Sequence, residues 1–136
     1  MVDLFRLLVA VFLLRHGIGH VIWFLASWTR VRTGFGDGTW ALPGAVTIRS
    51  PMGRAWGVAA LVVVAFFSIG ALGLVIGDPR WENPTNLAIF LSFGVVAPWA
   101  RQAPGSTAIW AIIANLVLMF LLALPLKGDL TGAALP

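Results

Sequence analysis

The chain has 136 residues, 60% of them hydrophobic and only 10% charged, and its net charge is +4. A soluble domain carries about a quarter charged residues, so this composition, with a mean hydropathy of +0.95, belongs to an integral membrane domain; a soluble helical core would need polar faces that these helices lack. With neither Cys nor Tyr, disulfides, thiol chemistry, cysteine-ligated metal or iron–sulfur centres and tyrosyl acids are excluded, and the positive charge, scattered over loops without interleaved aromatics, does not suit nucleic acid.

Four apolar segments follow one another, at about 4–28, 55–76, 85–99 and 107–126. A membrane helix needs about 20 residues. Three segments meet this length; the third is short and starts in its preceding loop or crosses where the bilayer thins. The first, from Leu4 to Trp28, carries Arg6 ahead of an apolar run, but Arg15 and His16 break that run and no A-x-A site follows, so it reads as a retained helix rather than a signal peptide. Between the first and second segments lies one long connection, 29–53. Its "GFGDG" lacks the strand, the helix and the Lys-Ser/Thr that make a phosphate loop. Its "TWALPGAVTI" reads as a turn or short hairpin, with Trp40 and Leu42 dipping into the headgroups. "IGDPRWENPT" separates the second and third segments through two prolines. "PWARQAPGST" forms a tight turn that offers Ser106 or Thr107 as an N-cap to the fourth. Trp28, Trp56, Trp81 and Trp99 sit near segment ends, where indoles favour the membrane interface.

The expected fold is therefore all-α, an integral membrane four-helix bundle in a single domain, with one long loop between its first two helices. Arg30, Arg32, Arg49, Arg54 and Arg101 lie on one side, against Arg6, Arg80 and Lys127 on the other. The positive-inside rule then puts loops 29–54 and 100–106 in the cytoplasm and both termini outside.

The chemistry is concentrated in "FLLRHGIGHVIWFL", residues 12–25. Arg15 and His16 fall near the middle of the first helix, and His20 lies one turn on, on the same face as His16. An arginine at the midplane costs at least ~2.5–3.5 kcal/mol, so it must face protein or water. Yet the five acids, Asp3, Asp37, Asp78, Glu82 and Asp129, all lie in loops or terminal regions. The other helices place Ser68, Ser92 and Asn115 at their middles, each able to accept a hydrogen bond from guanidinium or imidazole. A polar midplane layer of Arg15, His16, His20, Ser68, Ser92 and Asn115 is the candidate site for a ligand or partner. The competing reading is that these groups only glue helices together, at about 1 kcal/mol per hydrogen bond.

Within the functional reading the chemistry narrows. No metal is expected: the histidine pair has no companion glutamate or third ligand, and Arg15 repels a cation. One histidine suits haem or chlorophyll ligation, but both cannot ligate a single haem axially from one helix face. An anionic group, whether a lipid headgroup, a quinone oxygen or a partner's carboxylate, suits Arg15 with histidine best. No catalytic set is present at this depth. Asp78 and Glu82 around Arg80 read as a solvated turn, and the absence of lysine from all four segments excludes retinal Schiff-base chemistry.

On "RHGIGH", the stretch "WALPGAVTIRSPMGRAWG" and four helices in 136 residues, the chain resembles small bacterial four-helix membrane proteins of the DoxX-like kind. The resemblance implies a helix layout and a role beside quinone or redox systems, and it carries over no individual functional residue. Three functions remain open. The first is a non-enzymatic accessory or structural subunit that associates with itself or with other membrane chains, Gly17, Gly19, Gly70 and Gly73 giving close-contact surfaces. The second is a small-solute or proton-handling protein that uses the polar layer. The third is a redox component binding quinone or a tetrapyrrole at His16 or His20.

Overall fold

A computed structural model describes residues 4–39, 41 and 46–124; Asp3, Trp40, Leu42, Pro125, Lys127 and Asp129 lie outside the described residues. Every regular element in the described part is helical: α1 (Leu4–Gly19), α2 (Val21–Trp28), α3 (Pro51–Ile76), α4 (Glu82–Val96) and α5 (Thr107–Ala123). Two stretches, Leu4–Trp28 and Pro51–Ile76, are long and apolar enough to cross a membrane, and α5 is a shorter apolar helix.

The first segment is not one uninterrupted helix. At His20 the backbone stays right-handed (φ −74°, ψ −15°), but its N–H bonds the Gly17 carbonyl, three residues back, at 2.9 Å, and the Trp23 N–H bonds the His20 carbonyl at 3.1 Å. This tightened turn divides α1 from α2. Gly17 lets α1 lie close on α3, since a Cβ there would come within 2.9 Å of the Phe67 Cβ.

α3 starts at Pro51, four residues before the expected boundary. Ser50 is its N-cap, accepting from the Gly53 N–H at 3.2 Å, and Pro51 occupies the first turn, where no N–H partner is needed. Gly77 ends the helix at φ +80°, a left-handed position that favours glycine. From the far end of α1, the Arg6 Nε donates to the Leu74 carbonyl at 2.5 Å. The arginine thus adds a second donor to a carbonyl that also accepts from the Gly77 N–H, and places its charge at the negative end of α3.

Asp78 caps a 3₁₀ turn over Pro79–Trp81 that runs straight into α4. α4 therefore begins at Glu82 rather than Thr85, because Pro84 falls in the first turn, where its missing N–H is not needed. A second 3₁₀ turn, Ala97–Trp99, closes α4. Ser106 precedes α5 without a side-chain cap; the Thr107 hydroxyl instead donates to the Pro104 carbonyl at 2.6 Å. α5 ends at Ala123.

α3 is the central helix. It packs against α1 and α2 on one side and α4 on the other; α5 packs on α4 and barely meets α1. The connections 29–50 and 100–106 meet at one end of the molecule, where the Gly36 N–H bonds the Gln102 carbonyl at 3.0 Å. In the long connection, Gly38 bridges Thr47 in antiparallel sense. Trp81 and Trp99 are buried rather than interfacial, whereas Trp28 is half exposed, donates to the Arg54 carbonyl at 2.9 Å and lies under the Arg54 guanidinium. Elsewhere the interior mixes alanines such as Ala10, Ala26, Ala60, Ala71 and Ala88 with larger side chains such as Leu13, Phe67, Leu74, Ile89 and Leu118, while Leu8, Leu72, Phe90, Trp110 and Phe120 stand on the outside.

Candidate functional site

Three of the helices bring polar side chains together where α1 meets α4 and α5. His16 Nε2 lies 2.8 Å from Asn115 Oδ1. Asn115 Nδ2 donates to Ser92 Oγ at 2.8 Å, and Ser92 Oγ lies 2.7 Å from His20 Nε2. His20 Nδ1 returns to the His16 backbone carbonyl at 3.1 Å. His20, Ser92 and Asn115 are buried, so each must have its hydrogen bonds met within the protein.

The proton positions follow from the partners. A backbone carbonyl only accepts, so His20 carries its proton on Nδ1 and presents a lone pair at Nε2. Ser92 then donates its hydroxyl to Nε2 and accepts from the Asn115 amide. The Asn115 oxygen accepts in turn, so neutral His16 holds its proton on Nε2. The result is a one-way circuit: His16 to Asn115, Asn115 to Ser92, Ser92 to His20, and His20 back to the His16 carbonyl. Turning the Asn115 amide over would require a doubly protonated His20, so the orientation with oxygen toward His16 is the one compatible with two neutral rings. The tightened backbone turn takes part: the His20 N–H goes to Gly17, and the His20 ring serves the His16 carbonyl.

Ser68 stands apart from this circuit. Its hydroxyl donates to the Val64 carbonyl of its own helix at 2.8 Å, and α3 instead presents Phe67, whose ring lies 4.9 Å from that of His16 and 6.1 Å from that of His20. Arg15 is also outside it. The side chain is exposed, and among the described residues no hydrogen bond or ion pair reaches it.

α1 and α5 barely touch, and a groove of about 330 Å³ lies between them, lined by Arg15, His16, His20, Trp23 and, from α5, Trp110 and Ala111. Trp23 is buried, and its indole N–H has no partner among the described residues. The groove thus combines aromatic walls, a fixed positive charge and the edges of two imidazoles. Nothing in the spacing of the sequence signalled it, because it depends on the distance between α1 and α5.

The described residues hold no cluster of three metal-ligating side chains. In the turn between α3 and α4, the Asp78 carboxylate is taken up by Arg80, accepting from its Nε at 3.1 Å and from its backbone N–H at 2.9 Å. These hydrogen bonds hold the Asp78 carboxyl below its usual range. The pair lies at the opposite end from connections 29–50 and 100–106 and belongs to a solvated cap. Comparison with protein-family models, curated proteins and solved structures returns no match to this chain.

Proposed function

We propose that this chain is a four-span integral membrane protein that works by binding rather than catalysis, and that the groove between α1 and α5 is its site. The distribution of apolar side chains supports the membrane setting. Large apolar residues also cover the outside of every long helix, among them Leu8, Leu72, Phe90 and Phe120, and buried Gly17, Gly57 and Gly70 bring helices into close contact, which suits helices surrounded by lipid. The positive-inside rule supports a cytoplasmic location for the end carrying Arg30, Arg32, Arg49, Arg54 and Arg101, which puts both termini outside.

The observation that carries the reading is Arg15. The circuit satisfies His20, Ser92 and Asn115 internally, so those groups act as structural glue. Arg15 is left charged, exposed and beside a groove whose volume lies at the lower end of the small-molecule range. A volume of this size suits a polar headgroup with part of its tail. Native mass spectrometry of the full chain released from nanodiscs tests this. A small molecule should accompany the wild-type protein and be lost from Arg15→Gln. A ligand-free wild type, or equal occupancy in both proteins, overturns it.

A second reading, an accessory subunit of a larger or self-associated complex, is favoured by the same exposed charge, because a neighbouring chain can bring a carboxylate to Arg15. A photo-cross-linker at Leu14 would then capture a second polypeptide in the native membrane, and capture of lipid alone would argue against it. The DoxX-like layout is compatible with either reading. Ligation of a tetrapyrrole requires an unprotonated nitrogen, and in the circuit only His16 Nδ1 is open; visible absorption of the purified chain tests that reading.

A further inference from the structure

Two open polar groups share one wall of the groove, and their hydrogen-bonding characters are opposite. The Arg15 guanidinium offers only donors and a permanent positive charge. His16 is the reverse: its Nε2 proton goes to Asn115 Oδ1, which leaves Nδ1 as an acceptor. Among the described residues Nδ1 has no partner, and it is not one of the buried polar atoms that lack one. It is therefore reachable from outside, on a half-buried ring that lines the groove.

A group that answers both needs an acceptor oxygen for Arg15 and, beside it, an O–H for His16. A protonated carboxylic acid has this pair on one carbon, its carbonyl oxygen accepting and its O–H donating. An alcohol has one oxygen for both tasks, an ester or ketone lacks the donor, and an ammonium group is repelled. Phe12, Trp23, Trp110, Ala111 and Ala114 make the rest of the wall apolar, which suits a hydrocarbon tail. Among the described residues no acid lines the groove.

We infer that the groove between α1 and α5 binds a single-chain amphiphile through a carboxylic acid head, with one oxygen on Arg15 and the acid proton directed at His16 Nδ1. The inference rests on the groove being a ligand site. The proton is neither gained nor lost; it starts on the acid oxygen and lies between that oxygen and Nδ1. The aromatic walls hold the first part of the tail, and the remainder leaves through the open side toward lipid.

The test is titration of the full chain in phosphatidylcholine nanodiscs with carboxyl-¹³C dodecanoic acid, with dodecanol and methyl dodecanoate as comparisons. Saturable binding of the acid is expected, with a bound carboxyl resonance distinct from that of acid in the bilayer. Arg15→Gln should weaken it at least tenfold, Arg15→Lys should restore part of the loss, and the alcohol and ester should bind at least tenfold more weakly. Equal binding of acid and alcohol, or equal binding to wild type and Arg15→Gln, overturns the acid-head assignment. If the alcohol or ester then binds saturably and is displaced by the groove-filling Ala114→Phe, the ligand-site reading stands without it. If no probe saturates and native mass spectrometry finds no ligand, both fall.

Discussion

Replacing Asn115 with leucine removes the central link of the polar circuit while keeping a side chain of similar size. The wild-type residue is fully buried and makes two side-chain hydrogen bonds of 2.8 Å, one to His16 and one to Ser92. Interhelical hydrogen bonds within membranes contribute on average ~0.6 kcal/mol each, with a maximum of ~1.7. Two such bonds give an expected destabilisation of about 1–3 kcal/mol. His16 then loses its acceptor, whereas Ser92 keeps His20, so the loss falls mainly on the contact between α1 and α5. Reversible unfolding of the full chain in mixed micelles, followed by circular dichroism, measures it. Ser92→Ala should cost a similar amount, because Ser92 also makes two bonds. The double variant should cost less than the sum, by about the energy of the one bond they share. A destabilisation under ~0.5 kcal/mol in Asn115→Leu, together with strict additivity, would refute the circuit as an energetic unit.

The circuit also requires opposite histidine tautomers. Nitrogen NMR of ¹⁵N-histidine-labelled protein should show His16 protonated at Nε2 and His20 at Nδ1; the same tautomer at both positions contradicts the assigned direction. Gly17→Ala puts a methyl group 2.9 Å from the Phe67 Cβ, so α1 and α3 must part, at a cost of about 1–3 kcal/mol as for other overpacked cores; unchanged micellar stability would mean that this close approach is not needed. Asp78, held below the usual carboxylate range by Arg80, adds stability that is full above the unfolded value near 3.8 and is lost as pH falls through the lower folded value. In Arg80→Ala its carboxyl midpoint, followed by ¹³C NMR, should move up toward that value, and an unmoved midpoint would dismiss the pair.

The meeting of three polar residues was legible because helix rise converts sequence position into a level along each helix. At 1.5 Å per residue, a polar residue in the middle of each apolar segment lies near the level of the others, and His16, Ser92 and Asn115 do meet. The helix starts were less legible. Proline was read as a boundary before Thr85, yet Pro84 sits in the first turn of α4, and Ser50 with Pro51 starts α3 earlier than the apolar pattern does. The tryptophans near the segment ends divide in the same way: position puts them at the ends, but only packing buries Trp81 and Trp99 while leaving Trp28 half exposed.

By itself, then, the sequence determined the helical class, the long apolar segments and the level of the polar residues along them, since all three depend on local hydrogen bonding and hydropathy. Only the tertiary structure decided which way each helix is turned and how far apart the helices stand. Gly17 seats α1 on Phe67, and that rotation aims His16 and His20 inward and leaves Arg15 exposed. Ser68, at the same level, is left to bond its own backbone. The sparse contact between α1 and α5 leaves room for the groove that Arg15 lines. Rotation and separation come from contacts between residues far apart in the chain, so no local pattern encodes them.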